Sequence, residues 1–188
     1  MFEYSNEKAI EYIFGFSHSG KPVKDLSRIK MLMSAIGDPQ DRLKFVHIAG
    51  TNGKGTTANY LANIYRAHGL KVGLFTSPYL YNVNEMININ GKEISDEELI
   101  NAIKENQKLF DKYGLSAFEI QTFIALNYFS KNNCDLAIIE CGMGGEIEVV
   151  YQHSGQLDLA VYNFLNSRIF LIICCLHHIH INVLEIAL

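Results

Sequence analysis

The sequence lacks the patterns that mark disulfide-rich, secreted and nucleic-acid-binding proteins. Its four cysteines form no C-x-x-C pair, which favours buried thiols over a disulfide framework. The amino terminus has no basic region followed by an apolar run, so no signal peptide is predicted. The net charge is -4 and lysine and arginine do not cluster, so nothing suggests nucleic-acid binding. We therefore expect a cytoplasmic protein that does not bind nucleic acid.

The sequence also lacks an uninterrupted apolar run of the roughly 20 residues that a membrane span needs. The nearest candidate, "RIFLIICCLHHIHINVLEIAL", is interrupted by His177, His178, His180, Asn182 and Glu185. We expect no membrane anchor. The three histidines have a metal-like spacing, but no accompanying carboxylate or cysteine pattern supports a metal site.

What the sequence does contain is typical of a globular domain. Its 188 residues are 48% hydrophobic and 19% charged, enough for one sizeable core. The composition changes after Ile147, since no lysine follows it. We therefore divide the chain into residues 1–147 and a divergent apolar tail, residues 148–188.

Hydrophobic periodicity predicts an α/β fold with an open, mostly parallel sheet and flanking helices. "KFVHIAG", "KVGLF" and "CDLAIIE" read as strands, and the first two flank a glycine-rich loop and a helix in a βαβ unit. An Asn90-Gly91 step predicts a hairpin, and Ser95 and Glu98 form a capping-box pattern. Helices are predicted over residues 5–14, 25–36, 56–68, 95–113 and 117–130.

The glycine-rich loop, "GTNGKGTT", resembles a phosphate-binding loop but departs from the pattern G-x-x-x-x-G-K-[ST]. Ile48 stands at the first glycine position, and Gly55 separates Lys54 from Thr56. A glycine loop before a helix still brings free backbone N–H groups and the positive end of the helix dipole to one point. With the charge of Lys54, this predicts a phosphate site.

A nucleotide site needs oxygen ligands for Mg²⁺. Glu140 ends a buried strand, and Ser77 directly follows another. Ligands of open α/β sheets bind where strands end, so we predict that Glu140 is a metal ligand, to which Ser77 could add an oxygen. The alternatives are a strand-end carboxylate that faces solvent and a Ser-Pro pair that only marks a turn. His47 is interpreted as a strand residue rather than as a catalyst.

Five segments resemble folylpolyglutamate synthase / dihydrofolate synthase of the Mur-ligase-like group. They are "HIAGTNGKGTT", "VGLFTSPYL", "NEMININGKEISDEEL", "FEIQT" and "DLAIIECGMGG", in the family's order and spacing. The family carries G-T-N-G-K-G-[ST], so Gly55 is its normal form. The resemblance covers about residues 1–147 and implies a P-loop, Mur-ligase central-domain-like fold for an ATP-binding ligase domain.

The resemblance implies an ATP-dependent ligase that adds L-glutamate to a folate or dihydropteroate carboxylate through an acyl phosphate. It implies a monomer that uses ATP and Mg²⁺, with Lys54 and Glu140 as catalytic residues and Ser77 and Glu140 as metal ligands. The implied ATP-binding residues are Gly50, Thr51, Asn52, Gly53, Lys54, Gly55 and Thr56. The implied substrate-binding residues are Phe118, Glu119, Thr122, Ser27 and Arg28, although "FEIQT" also fits an ordinary amphipathic helix.

The resemblance ends at Ile147. Beyond it we find no recognisable counterpart of the family's D-A-T-N segment, a later metal ligand, a lysine near the metals or the C-terminal glutamate-ligase domain. We therefore expect a truncated or frame-shifted product, or a wrongly assigned gene end. Two alternatives stay open: a non-catalytic ATP-binding fragment and another P-loop kinase or GTPase. The kinase or GTPase is disfavoured by the absent first glycine, the inserted Gly55 and the lack of the guanine-reading motif N-K-x-D.

Overall fold

The computed structural model describes residues 6–15, 27–50, 52–140 and 169–172. The helices are Asn6–Gly15 (α1), Ser27–Ala35 (α2), Lys54–Ala67 (α3), Asp96–Tyr113 (α4) and Ala117–Lys131 (α5). The strands are Phe45–Gly50 (β1), Val72–Phe75 (β2), Ile87–Ile89 (β3), Lys92–Glu93 (β4), Leu136–Glu140 (β5) and Ile169–Ile172 (β6). The predicted helices and strands are confirmed, with helix boundaries that differ by at most two residues.

The strands form one mixed sheet in the order β4-β3-β2-β5-β1-β6. The three central strands are parallel, since β5 pairs with both β1 and β2. The outer pairings, β2 with β3, β3 with β4 and β1 with β6, are antiparallel. The predicted α/β fold is confirmed, but the sheet is parallel only at its centre. A short turn can join β3 to β4 only if the two strands run in opposite directions.

Strand β5 lies between the two strands of the predicted βαβ unit. β1 and β2 are parallel and α3 connects them, as the sequence indicated, but each pairs with β5 rather than with the other. The unit therefore has a gap of one strand, and β5, which follows β2 in the chain only after β3, β4, α4 and α5, fills it.

Successive side chains of each strand point to opposite faces of the sheet, and this alternation divides the core into two parts. Phe45, Phe75 and Ile139 belong to the larger core cluster, which includes residues of α1, α2, α4 and α5. Ile48 and Ile138 belong to a smaller cluster with Ala58 of α3. Side chains two residues apart on a strand share a face, so Glu140 lies on the α3 face together with Ile138.

Local sequence signals explain the turn and the helix ends on the other side of the sheet. Asn90 and Gly91 both have positive φ, 52° and 80°, between β3 and β4, as a two-residue hairpin turn requires. Ser95 and Glu98 form the predicted capping box at the start of α4. Gly114, with φ 61°, ends that helix. The predicted hairpin and both ends of α4 are confirmed.

No helix in the described ranges is long and apolar enough to cross a membrane.

Candidate functional site

The candidate site lies where the three central strands end. Ile48 of β1 is level with Glu140 of β5 in the parallel ladder. Phe75, the last residue of β2, is level with Ile139. The residues that follow β1 and β2 therefore meet Glu140 at one edge of the sheet, as the sequence predicted for an open α/β fold.

The glycine loop joins β1 to α3 at this edge. Gly50 is the last residue of β1, Asn52 is exposed, and Thr51 lies outside the described residues. Gly53 adopts a left-handed conformation, with φ 77°, and caps α3. Because Gly53 makes this turn, the helix begins at Lys54, two residues before the predicted start at Thr56.

The first turn of α3 presents its backbone amides at the loop. The first helical bond runs from the N–H of Thr57 to the oxygen of Gly53, over 2.9 Å, and the Thr57 hydroxyl donates to the same oxygen. The N–H groups of Lys54, Gly55 and Thr56 precede that bond and have no helical acceptor. Free N–H groups and the helix dipole together suit a phosphate.

Glu140 is the buried carboxylate of the site, with 4% of its surface exposed. Its Oε2 accepts a hydrogen bond from the backbone N–H of Ser77 over 3.2 Å. Its Oε1 lies 3.9 Å from Nζ of Lys54. The structure thus brings together Lys54, Ser77 and Glu140, which the sequence predicted to share a site.

Gly55 leaves room for this carboxylate. A Cβ atom placed on Gly55 would lie 3.3 Å from Oε2 of Glu140, tighter than an ordinary van der Waals contact. The glycine that interrupts the usual P-loop pattern therefore lies directly against the carboxylate predicted to bind metal.

Burial raises the pKa of Glu140 because it removes water from the charged form, while the N–H of Ser77 and the charge of Lys54 act in the opposite direction. The desolvation is the largest of the three effects. A carboxylate with such a perturbed pKa at the end of a strand is a candidate for a functional group.

The residues fit a magnesium ion by their donor chemistry. A carboxylate and the hydroxyl-bearing Ser77 supply hard oxygens, and Mg²⁺ is commonly held by one or two carboxylates together with phosphates and waters. Within the described ranges, no three His, Cys, Asp or Glu side chains cluster as a ready-made metal site. The ion would therefore need oxygens from a bound nucleotide as well. His177, His178 and His180 lie outside the described residues.

Glu85 fixes the loop that carries Ser77, and the sequence analysis missed it. Its carboxylate accepts hydrogen bonds from the backbone N–H groups of Leu80, Tyr81 and Asn82, over 2.9 to 3.0 Å. These bonds hold the pKa of Glu85 below its usual value. Asn82 and Glu85 form a capping box around a short 3₁₀ helix. The signal was present as N-x-x-E in "NVNE".

The residues predicted to bind substrate lie on the other face of the sheet. Nη1 of Arg28 donates to the oxygen of Gly114 over 2.6 Å, and Nη2 lies 3.3 Å from Oε2 of Glu119. The same Glu119 oxygen accepts from the N–H of Ser116 over 2.7 Å in a capping box for α5. Arg28 and Glu119 are therefore brought together, as a clamp on the turn between α4 and α5.

The other predicted substrate residues adjoin that clamp. The Phe118 ring packs against Phe75 at the end of β2, with 5.8 Å between ring centroids. Thr122 is 1% exposed, and its hydroxyl donates to the oxygen of Phe118 over 2.8 Å. Ser27 is the first residue of α2 and is half-buried. Phe118 thus connects this group to the strand that leads to Ser77.

Comparison with known proteins identifies the fold. Folylpolyglutamate synthase of Lacticaseibacillus casei is 35% identical over 148 residues, covering 75% of this chain and 34% of that protein. Dihydrofolate synthase/folylpolyglutamate synthase of Bacillus subtilis is 41% identical over 130 residues, covering 65% and 30%. The chain belongs to the folylpolyglutamate synthase/dihydrofolate synthase family, of which it matches an N-terminal portion. No protein-family model matches the chain.

A solved complex of folylpolyglutamate synthase with AMPPCP and folate superimposes with a TM-score of 0.71 at 35% identity, covering 76% of this chain and 36% of that one. The chain thus spans about a third of the length of the relatives it matches.

Proposed function

We propose that this chain is the nucleotide-loop portion of an ATP-dependent ligase that joins L-glutamate to a folate or dihydropteroate carboxylate. ATP would phosphorylate the acceptor carboxylate, and the α-amino group of glutamate would displace phosphate from the acyl phosphate. The observation that carries the proposal is the meeting of Lys54 and Glu140 at the start of α3, 3.9 Å apart. The solved relative in complex with AMPPCP and folate supports the choice of ligands.

Each site residue has a role that its position supports. The loop from Gly50 to Thr56 would hold the ATP phosphates through backbone N–H groups, and Lys54 would neutralise the outer phosphates. Glu140 and Ser77 would hold Mg²⁺, which withdraws charge from the phosphates it binds. Phosphoryl transfer needs positioning and charge neutralisation more than covalent help from side chains, which suits such a site.

The substrate-side residues are part of the same proposal. Ser27, Arg28, Phe118, Glu119 and Thr122 would border the acceptor. The support is the resemblance of "FEIQT" to the family's segment, together with the contact of Phe118 on β2. We further propose a cytoplasmic monomer, on the resemblance and on the cysteine pattern.

The alternative function is non-catalytic nucleotide binding by the same loop. One assay distinguishes the ligase from the non-catalytic nucleotide-binding protein. ADP release from ATP should depend on both glutamate and a pteroate or folate acceptor if the chain is a ligase. Retained ATP binding without acceptor-dependent release would exclude the ligase and leave non-catalytic nucleotide binding.

A lysine substitution tests the loop itself. Lys54→Ala should abolish ATP binding, measured by isothermal titration, since it removes the only side-chain charge in the segment from Gly50 to Thr57. Lys44→Ala is the matched control, because Lys44 is exposed and precedes β1 at the opposite end of the strand. Unchanged nucleotide affinity in Lys54→Ala would mean that the loop does not bind phosphate.

A further inference from the structure

Lys54 and Glu140 form an ion pair inside the candidate metal site. Nζ of Lys54 lies 3.9 Å from Oε1 of Glu140, and the two side chains are only 19% and 5% exposed. The other carboxylate oxygen is held separately, by the N–H of Ser77 and against Gly55. Ser77 and Gly55 therefore fix the direction of the carboxylate, and Oε1 is the oxygen that faces the lysine.

The pair places two cations in competition for one oxygen. A divalent ion at Oε1 would lie within a few ångströms of the ammonium group, where like charges repel strongly at low dielectric. Lys54 is also the first residue of α3, so its side chain starts beside the free amides that suit a phosphate. The lysine thus has two alternative anionic partners, the carboxylate and a phosphate.

We propose that Lys54 is the resident counter-ion of Glu140 and blocks divalent metal binding until a phosphate draws it away. This inference rests on the proposed function in one respect, namely that the loop binds a nucleotide. It predicts that metal and nucleotide bind as a coupled pair. The coupling is reciprocal, so each ligand raises the affinity for the other.

The test measures binding of Mn²⁺ alone to the full chain, with the free ion followed by electron paramagnetic resonance. Lys54→Met keeps most of the side-chain length and removes the charge. We expect it to bind Mn²⁺ at least about fivefold more tightly than the unsubstituted chain, since this ion pair is more buried than the surface pairs for which such effects are typical. Glu140→Gln should lose this binding.

Two controls make the comparison specific. Lys44→Met removes a charge remote from Glu140 and should leave Mn²⁺ affinity unchanged. Lys54→Gln, a second neutral variant, should reproduce the gain, and circular dichroism verifies that each variant is folded. Two results would overturn the proposal that Lys54 blocks metal binding. One is that both neutral Lys54 variants bind Mn²⁺ no more tightly than the unsubstituted chain. The other is that Lys44→Met shows the same gain.

A separate titration distinguishes this inference from the proposed function. Binding of AMPPCP to the unsubstituted chain is measured without and with added Mn²⁺. No nucleotide binding in either condition, with the Mn²⁺ gain present in the Lys54 variants, would overturn the ligase and leave the ion-pair competition established. Nucleotide binding without the Mn²⁺ gain would overturn only the competition.

Discussion

Gly55 lies against the carboxylate of Glu140 so closely that an added methyl group would be 3.3 Å from Oε2. Gly55→Ala should therefore displace the carboxylate by a few tenths of an ångström. Changes to the groups that orient a metal ligand cost about tenfold to a hundredfold in metal affinity, so we expect the affinity for Mn²⁺ with AMPPCP to fall about tenfold. Isothermal titration measures the change.

The free energy of unfolding should behave differently in the same variant. Alanine is a better helix former than glycine by up to about 1 kcal/mol, so Gly55→Ala should not be less stable. Gly15→Ala is the matched control, since none of the residues that the structure describes lies within 4 Å of a Cβ at Gly15. It should leave ligand affinity unaltered. An unchanged affinity in Gly55→Ala would contradict a positioning role for the glycine.

Arg28 should stabilise the fold in addition to any role in substrate binding. It bonds the oxygen of Gly114 and pairs with Glu119 while only 25% exposed. Arg28→Ala should lower the free energy of unfolding by about 1–2 kcal/mol, somewhat less than the roughly 1.5–3 kcal/mol of charged hydrogen bonds because solvent screens a partly exposed side chain. Urea denaturation measures it.

The exposed pair Lys131–Glu105 provides the comparison for Arg28. Its N–O distance is 3.1 Å, against 3.3 Å for Arg28–Glu119, but its side chains are 60% and 59% exposed. Lys131→Ala should change the free energy of unfolding by less than about 0.5 kcal/mol. Equal losses in the two variants would show that the Arg28 clamp is no stronger than a surface contact.

Gly73 in β2 has no space for a side chain. A Cβ there would lie 2.5 Å from the ring of Phe129, which is fully buried. Gly73→Ala should destabilise the protein by about 1–3 kcal/mol through overpacking. A double-mutant cycle with Phe129→Leu checks the cause, since alanine should cost less once the ring is gone. An equal cost in both backgrounds would point to some contact other than the ring.

His47 should make the fold sensitive to acid. It lies in β1, as the sequence predicted, and burial lowers its pKa to about 4 from 6.5. The folded state therefore keeps the imidazole neutral, while the unfolded chain takes up a proton below pH 6.5. Stability is lost as the pH falls from about 6.5 towards 4, and the loss from this group between pH 7 and pH 5 should be about 2 kcal/mol.

His47→Leu isolates that effect. The variant should lose about 2 kcal/mol less than the unsubstituted chain between pH 7 and pH 5, as measured by urea denaturation at each pH. Parallel pH profiles for the two proteins would mean that His47 is charged in the folded state.

The parts of the fold that local sequence predicts are those fixed by neighbouring residues. The Asn90-Gly91 turn, the Ser95–Glu98 box and the Gly114 stop each depend on a few consecutive positions. The order of the strands in the sheet does not depend on a few consecutive positions. Nothing in "DLAIIE" indicates that it pairs with β1 on one side and β2 on the other, because pairing depends on contacts between distant segments.

For the candidate site, the sequence predicts which residues meet but not which atoms are in contact. The meeting of Lys54, Ser77 and Glu140 follows from the rule that parallel strands end at one edge. The particular contact did not follow, since Ser77 presents its backbone N–H to Glu140 and that orientation depends on the loop held by Glu85. The early start of α3 was missed because a positive φ at Gly53 is one of several conformations that glycine allows.

The insertion of β5 between β1 and β2 has a consequence for how the protein is made. Until the ribosome has synthesised Leu136 and the residues that follow it, neither β1 nor β2 can pair with β5. Both strands then expose unpaired edges, which favour aggregation. Pairing on both sides becomes possible only when β5 emerges. The last residue of that strand is Glu140, so the segment that joins β1 to β2 within the sheet also delivers the carboxylate to Lys54, and a nascent chain cannot have the site before its three central strands can pair.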